Sequence, residues 1–304
     1  MGNGEASAVA DVDNDGDIDI WHSDGGDGSL FLNDGSGVFV EASASRGLAI
    51  DMGSAQPYYG VSFGDYDNDG DLDAFFGHPV TKANRLYTND GSGGFTLASA
   101  LAVDLGESRG TAWGDFDNDG DLDLYVANDG ARNYLYRNDG SGVFTDVAVA
   151  LGVADGATSP TETVVFADYD NDGDLDLLTV GATTNRLYRN SLDDTDYLKV
   201  RVVGRGALGY SSRDGIGTRV ELWNAAATTL LAVREVGGGG DWGAQSPQIV
   251  HFGLADPWGG GSGTYTVRAR FLGGSTVTVS SVVPSASSIV IGSTTVPGTI
   301  EIME

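Results

Sequence analysis

DVDNDGDID, from Asp11 to Asp19, is the first of four copies of one acidic nine-residue stretch. The later copies are DYDNDGDLD from Asp65 to Asp73, DFDNDGDLD from Asp115 to Asp123 and DYDNDGDLD from Asp168 to Asp176. We number them loops 1 to 4 and count positions within a loop from its first Asp. Asp stands at every odd position and Gly at the sixth. Carboxylates this dense repel one another unless a cation lies among them, and oxygen ligands on a short loop favour Ca²⁺.

The spacing within each loop fits one hard cation. Carboxylates at positions 1, 3 and 5 can converge on one ion, the Gly at position 6 permits a sharp bend, position 7 supplies a backbone carbonyl, and the carboxylate at position 9 closes the shell. An EF-hand would need Glu at position 12. This chain has other residues there, namely His22, Phe76, Val126 and Thr179. The sequence therefore predicts about four bound Ca²⁺ ions rather than EF-hands or solvated acidic turns.

A second motif recurs in phase with the loops. Successive loops begin 54, 50 and 53 residues apart, and an apolar run follows each one. Three repeats continue with a hairpin signal: LFLNDGSGVFV (30–40), LYTNDGSGGFT (86–96) and LYRNDGSGVFT (135–145). Asn, Asp and Gly tolerate positive φ, so each signal predicts a turn between two strands. Four strands in each period of about 50 residues indicate the blades of a β-propeller.

We therefore expect an all-β chain with two domains. Residues 1–194 hold four propeller-type blades, and the boundary falls near Asp194, where the fourth repeat departs from the hairpin pattern. The blades are expected at about 6–50, 57–103, 108–153 and 161–194. Residues 195–292 form a small β-sandwich or barrel, and residues 293–304 form a C-terminal tail strand. Alternating apolar runs predict strands at 197–204, 218–223, 230–236, 249–254, 265–271, 276–282 and 287–293.

The acidity of the chain comes mostly from the loops. The formal net charge is −28, and the four loops contain 20 of the 44 Asp and Glu residues. The remaining 24 acidic residues face 16 Lys and Arg, which leaves about −8 for the rest of the chain. This balance argues against nucleic acid and anionic membranes as partners, because both require clustered Lys and Arg.

The sequence predicts neither a disulfide nor a membrane anchor. Cys is absent, and no apolar run approaches the length of a transmembrane helix. The opening MGNGEASAVAD lacks the charged and apolar regions of a signal peptide. We expect that an export signal has been removed or that the chain is a fragment.

The loops, the strands before them and the N-x-L-Y-x-N hairpins after them resemble FG-GAP/VCBS repeats over about residues 6–195. Such repeats build the propeller heads of integrin α chains and of many secreted bacterial proteins, with Ca²⁺ in the loop between adjacent strands of a blade. The resemblance implies that the five carboxylates of each loop are the ligands. They are Asp11, Asp13, Asp15, Asp17, Asp19, Asp65, Asp67, Asp69, Asp71, Asp73, Asp115, Asp117, Asp119, Asp121, Asp123, Asp168, Asp170, Asp172, Asp174 and Asp176.

The rest of the chain resembles an ASPIC/UnbV domain, as found in the cartilage acidic protein family. The matching stretches are YLKVRVVG (197–204), SSRDGIGTRVELW (211–223), VREVGGGGDWGAQSP (233–247) and HFGLAD (251–256). Ser212 departs from the Asn that usually precedes Arg-Asp in that family. Propeller heads of this kind usually close with seven blades, so four repeats form either a four-bladed head or an incomplete propeller. We expect the incomplete form.

No catalytic constellation accompanies the loops, so we expect no enzyme activity. His22, His78 and His251 belong to no paired motif, and we interpret them as loop or packing residues. The segment from Arg213 to Arg219 is the best site candidate in the second domain, although a Gly-rich turn is the simpler interpretation. Tryptophans are more often packing residues than sugar platforms. They are Trp21, Trp113, Trp223, Trp242 and Trp258.

The expected function is a calcium-binding, non-catalytic adhesion or interaction module. The ions stiffen the blades, and the variable loops form a recognition face for a protein or a glycan. These loops are 22–28, 77–84, 127–133 and 180–185. The alternative is a calcium-dependent polysaccharide-binding or polysaccharide-active propeller, similar to a lectin or a lyase. Free Ca²⁺ is scarce in the cytosol, so an extracellular or cell-surface location is expected.

Overall fold

The computed structural model describes twelve segments of the chain. They are residues 6–23, 28–48, 60–78, 83–101, 106–140, 142–155, 160–192, 195–204, 214–237, 248–254, 263–284 and 299–303. The expected boundary near Asp194 and the strand expected at 287–293 lie outside these segments. So do residues 24–27 and 79–82 of the variable loops and residues 293–298 of the expected tail strand.

The first domain consists of four small antiparallel sheets, each built from consecutive strands. Blade 1 contains β1 (Ala6–Ala10), β2 (Asp19–Ser23), β3 (Gly28–Asn33) and β4 (Phe39–Glu41). Blade 2 contains β5 (Val61–Gly64), β6 (Asp73–Phe76), β7 (Arg85–Asn89) and β8 (Phe95–Ala100). Blade 3 contains β9 (Glu107–Gly114), β10 (Asp123–Asp129), β11 (Tyr134–Asn138) and β12 (Phe144–Asp146). Blade 4 contains β13 (Thr161–Ala167), β14 (Asp176–Gly181) and β15 (Asn185–Tyr188). This arrangement confirms the all-β fold with propeller-type blades.

Each Asp loop joins the first two strands of its blade. Its bend contains two residues in the left-handed backbone conformation. The Gly at position 6 has positive φ, as expected, and so does the Asn at position 4. The Asn residues are Asn14 (59°), Asn68 (57°), Asn118 (58°) and Asn171 (62°). Asn tolerates this conformation better than most residues that carry a Cβ. The sequence pattern therefore contains two turn-forming positions per loop, and the Asn at position 4 adds to the Gly predicted from the sequence.

The hydrophobic clusters of the first domain lie between neighbouring blades. Trp21 of blade 1 packs edge-on against Phe76 of blade 2, with 4.7 Å between ring centroids. Trp113 of blade 3 stacks on Tyr66 of loop 2, at 6.4 Å. Between blades 3 and 4 the approach is closer still, because a Cβ on Gly114 would lie 2.7 Å from the Phe166 ring. Neighbouring blades therefore bury apolar faces against one another, as in other repeat folds.

The first strands of the blades, β1, β5, β9 and β13, lie next to one another in chain order. Together with the second domain they line a cavity of about 260 Å³. The first strands therefore form the inner edge of the blade array, and each Asp loop begins where an inner strand ends.

The second domain is a β-sandwich of two sheets around one apolar core. In one sheet, β16 (Tyr197–Val203) lies between β19 (Ile249–Gly253) and β22 (Thr299–Met303). The other sheet contains β18 (Leu230–Glu235), β17 (Arg219–Asn224), β20 (Tyr265–Arg270) and β21 (Thr276–Val282). Because β22 pairs parallel with β16, the described part of the tail is a strand of this sandwich.

A single short helix, α1 (Ala148–Leu151), occurs among the described residues and follows β12. No helix in the described segments has the length and apolar character needed to cross a membrane.

Candidate metal centres

The structure brings three carboxylates together in each Asp loop, with candidate ligand oxygens within 4.8 Å of one another. In loop 1 they come from positions 1, 3 and 5, and in loops 2 to 4 from positions 1, 3 and 9. The groups are Asp11, Asp13 and Asp15; Asp65, Asp67 and Asp73; Asp115, Asp117 and Asp123; and Asp168, Asp170 and Asp176. All four groups could hold a metal ion.

The carboxylates at position 1 share one pattern of hydrogen bonding. In Asp11 and Asp115, Oδ2 accepts a hydrogen bond from the Gly amide at position 6, at 3.0 Å. The same bond in Asp168 is 3.1 Å long. The other oxygen, Oδ1, is buried without a hydrogen-bond partner in the described residues of all four loops. Buried oxygens without partners are costly and rare, so this repeated arrangement fits a cation at each loop.

Burial also raises the pKa of these carboxyl groups. It raises the pKa of Asp11 to about 6, that of Asp65 to about 7 and that of Asp115 to about 8. Neighbouring carboxylates of the same loops act in the same direction. The charged form therefore requires a compensating positive charge, and near neutral pH a proton and a cation compete for these groups.

The carboxylates at position 9 connect each loop to its own hairpin. Asp123 accepts a hydrogen bond from Phe116 N at Oδ2 and from Asn138 N at Oδ1, both at 2.9 Å. The position-9 carboxylates of the other loops accept the same two bonds. Burial raises the pKa of Asp73 to about 9 and that of Asp123 well above its usual range. Position 9 therefore holds the loop in shape and also lies within three of the four ligand groups.

In repeats 2, 3 and 4, the Asn at the end of the N-x-L-Y-x-N motif connects neighbouring repeats. Asn138 Nδ2 donates to Leu122 O in its own loop at 3.3 Å and to Tyr66 O in the preceding loop at 2.8 Å. Asn89 bonds to Val12 O of loop 1 at 2.7 Å, and Asn190 bonds to Phe116 O of loop 3 at 2.7 Å. The hairpin signal therefore specifies a contact between blades as well as a turn.

The carboxylates at position 7 form a second series of contacts between repeats. Asn14 Nδ2 donates to Asp71 Oδ1 at 2.9 Å, and Asn68 Nδ2 donates to Asp121 Oδ1 at 2.7 Å. In the third pair, Asn118 donates to Asp174 at 3.2 Å. The position-7 side chains are not in the three-carboxylate groups, and Asp17 is likewise outside them. Ligation through position 7 remains a prediction.

The carboxylates at position 5 accept backbone hydrogen bonds within their own loops. Asp69 Oδ1 accepts from Asp71 N at 2.9 Å, and Asp119 Oδ1 accepts from Asp121 N at 2.9 Å. Asp15 and Asp172 accept the equivalent bonds. Only Asp15 also belongs to a three-carboxylate group, so ligation by the other three remains a prediction.

The second domain covers the Asp loops with side chains that sequence analysis did not identify. Arg234 Nη2 donates to Gly120 O at 3.3 Å, and His251 Nε2 lies 2.9 Å from Gly173 O. Arg219 bonds to Gly70 O and to Asn14 Oδ1. The backbone carbonyl at position 6 is therefore contacted in loops 2, 3 and 4. The one sequence signal for these contacts is a charged or imidazole side chain inside an otherwise apolar strand, as in IVHFGL.

Glu235 is the acidic member of this interdomain contact. Its Oε2 accepts a hydrogen bond from Asp11 N at 3.2 Å. Burial raises the pKa of Glu235 to about 8. The second domain thus contacts the first position of loop 1, although Glu235 is outside the three-carboxylate group.

The other candidate residues take packing or turn roles. Trp21 is fully buried, and His22 Nδ1 lies 2.9 Å from Ser7 Oγ within blade 1. Gly215 and Gly217, in the segment from Arg213 to Arg219, have φ of 69° and 78°, as a tight turn requires. Trp242, Trp258 and Arg213 lie outside the described residues.

Two family models match the chain. Residues 4–76, 77–126 and 115–179 match the FG-GAP-like repeat, and residues 209–283 match the ASPIC and UnbV domain. The resemblance read from the Asp loops and from the second domain is thereby confirmed. A search of curated proteins found no match.

Solved structures show distant similarity of fold. The surface component PorZ of the type-IX secretion system of Porphyromonas gingivalis is 12% identical, with a TM-score of 0.41, and the match covers 86% of this chain and 36% of PorZ. An Agrocybe aegerita lectin specific for non-reducing terminal N-acetylglucosamine is 15% identical, with a TM-score of 0.38, over 91% of this chain and 66% of the lectin. The V. cholerae biofilm matrix protein Bap1 is 14% identical, with a TM-score of 0.35, over 96% of this chain and 50% of Bap1. The chain thus spans about a third of the length of PorZ and about two thirds of that of the lectin.

Proposed function

Since the chain belongs to the FG-GAP-like repeat family, we propose that it is a calcium-stabilised, non-catalytic interaction module. The observation that carries this proposal is the buried Oδ1 atom at position 1, which has no hydrogen-bond partner among the described residues of any loop. Ca²⁺ accepts about six to eight oxygen ligands at flexible geometry, and the loops offer carboxylates, backbone carbonyls and water. His and Cys, which transition metals prefer, are missing from the loops.

The ions would act by stiffening the joints between blades. Loops 1, 2 and 3 each contact the following repeat through hydrogen bonds from the Asn at position 4 and from the hairpin Asn of that repeat. A cation that orders one loop therefore also orders its contacts to the neighbouring blade. The proposed role of calcium is structural.

The partner would bind at the end of the blades opposite the Asp loops. Contacts from Arg219, Arg234 and His251 show that the second domain already covers the Asp-loop end. The connection between the second and third strands of each blade emerges at the other end, because neighbouring strands are antiparallel. Among the described residues, this end of the blades includes the connection 130–133 in blade 3 and the connection 182–184 in blade 4. We propose a protein or glycan partner there, outside the cell or at its surface, where free Ca²⁺ is plentiful.

Calorimetric titration tests the calcium part of this proposal. Chelator-treated and dialysed protein is titrated with CaCl₂, and MgCl₂ serves as the matched control. We expect saturable calcium binding with Kd at or below about 10⁻³ M and clearly weaker magnesium binding. Absence of calcium binding, or equal binding of both ions, would contradict the proposal.

A glycan array combined with a reducing-sugar release assay tests the non-catalytic part. We expect no sugar release from any polysaccharide, because the described loops hold carboxylates committed to ion binding and to backbone hydrogen bonds. Calcium-dependent release of reducing sugar would identify an enzyme instead. Array binding without release would identify the partner as a glycan.

The pH dependence of stability should reverse when calcium is removed. In chelator, Asp65, Asp115 and Asp73 have folded-state pKa values of about 7, 8 and 9. In the unfolded chain the pKa of Asp is about 3.9, so the folded state binds more protons. Its stability is then greatest at low pH and falls as the pH rises through about 7 to 9. In calcium the ion replaces these protons, so stability should instead fall as the pH is lowered.

Melting temperatures at about pH 5.5, 7 and 8.5, with calcium and with chelator, measure this reversal. The calcium series is the control for general effects of pH on the fold. A chelated protein whose melting temperature increases with pH would contradict the assignment.

A further inference from the structure

Loop 4 differs from the other loops because two cationic side chains of the chain itself contact its carboxylates. Lys199 Nζ lies 2.7 Å from Asp168 Oδ2. Arg189 reaches Asp170 Oδ2 with Nε at 2.6 Å and Asp172 Oδ2 with Nη2 at 2.8 Å. The carboxylates at positions 1, 3 and 5 therefore all have a positive partner.

Loops 1 to 3 lack this arrangement in the described part of the chain. In loop 1 the corresponding carboxylates have one long ion pair, 3.9 Å from Arg46 Nη2 to Asp13 Oδ2. In loops 2 and 3 no ion pair between described residues reaches position 1, 3 or 5. Among the described residues, positive groups such as Arg234 act on these loops at longer range, and none forms an ion pair with the ligand group. A bound cation is therefore the available direct counter-charge in loops 2 and 3.

The altered hairpin of repeat 4 explains the position of Arg189. Repeat 3 has Arg137 at the same hairpin position, and its Nε donates to Asp139 Oδ1 at 2.8 Å. In repeat 4, Ser191 replaces that Asp, so Arg189 has no hairpin carboxylate at that position and turns towards loop 4.

The position of Lys199 follows from the fold of the second domain. Lys199 lies in β16, is 2% exposed, and is close to the end of blade 4 in the chain. A buried ammonium group requires a counter-charge, and Asp168 supplies it. Asp168 Oδ2 also accepts the Gly173 amide, so only Oδ1 of this carboxylate remains for an ion.

We propose that Lys199 and Arg189 neutralise the carboxylates of loop 4 in place of calcium. The chain then binds three calcium ions tightly rather than four. This inference rests on the proposed function of loops 1 to 3. Two positive charges on the carboxylates of loop 4 repel a third cation at close range, which should weaken its binding at least about a hundredfold relative to loops 1 to 3.

Calcium stoichiometry tests the proposal directly. Full-length protein is dialysed against calcium at about ten times the Kd of the tight sites, and bound metal is counted by elemental analysis. We expect three ions in the wild type and four in the double variant Lys199→Met/Arg189→Gln. Arg137→Gln is the matched control, because Arg137 occupies the same hairpin position but pairs with Asp139, and it should leave the count at three.

The single variant Arg189→Gln keeps the test valid if the buried Lys199→Met substitution prevents folding. Arg189 is 57% exposed, so its loss should not affect folding, and the affinity of the weak fourth site should increase measurably. Four equally tight ions in the wild type would overturn the inference but leave the proposed function intact. An unchanged count in the double variant, or unchanged fourth-site affinity in Arg189→Gln, would also overturn it. No bound calcium would overturn both.

Discussion

Replacing Asp115 with asparagine is expected to lower the free energy of unfolding by about 3 kcal/mol in saturating calcium, while leaving it unchanged or higher in chelator. Asp115 is 1% exposed, and its Oδ1 has no hydrogen-bond partner among the described residues. In calcium the substitution removes a ligand and with it the stabilisation that the ion in loop 3 provides. In chelator it removes a carboxyl group whose pKa burial raises to about 8. The asparagine still offers an oxygen to the amides of Gly120 and Gly253.

Urea unfolding at about pH 7.5, with calcium and with chelator, measures both effects. Asp214→Asn, at an exposed carboxylate of the second domain, is the control and should change neither value. The opposite behaviour of Asp115→Asn in the two conditions is the informative result. If it lost the same stability in both, Asp115 would be a structural hydrogen-bond acceptor rather than an ion ligand.

Asn138→Ala is expected to destabilise the protein by about 2 to 4 kcal/mol in calcium and in chelator alike. The Asn138 side chain is fully buried and bonds to carbonyl oxygens of two different repeats, Leu122 O and Tyr66 O. Alanine would leave both carbonyls without this donor and would leave a small cavity between blades 2 and 3. Differential scanning calorimetry of the variant in both buffers measures the loss.

Asn33→Ala is the matched control for that experiment. Asn33 is the hairpin Asn of repeat 1 and is less buried than Asn138, and among the described residues its Nδ2 donates only to Ile18 O of its own repeat. Its substitution should cost about 1 kcal/mol. If the two variants lost the same stability, the contact between repeats would contribute nothing beyond the hairpin turn.

The architecture of the first domain could be predicted because its signals are local and periodic. Loop spacing, apolar runs and Asn-Asp-Gly turns lie within single repeats, so the pattern from Gly110 to Thr145 alone predicts the order of the strands in a blade. Carboxylate spacing also predicted a cation site in each loop, and the structure gathers three carboxylates in each. The same local patterns indicated strands in the second domain.

The contacts between repeats and between domains could not be predicted in this way. Spacing gave no reason to expect that the Asp121 side chain accepts a hydrogen bond from Asn68 of the preceding loop. Lys199 and Arg234 contact the loops only because the second domain packs over them. These assignments depend on residues far apart in the chain, and a single sequence contains no local signal for them.

Thermal unfolding of the full chain in calcium and in chelator, at about pH 7.5, tests most directly whether ions in the Asp loops stabilise the blades. We predict that saturating calcium raises the melting temperature by at least about 5 °C and that magnesium at the same concentration does not. The same melting temperature in calcium and in chelator would contradict the account.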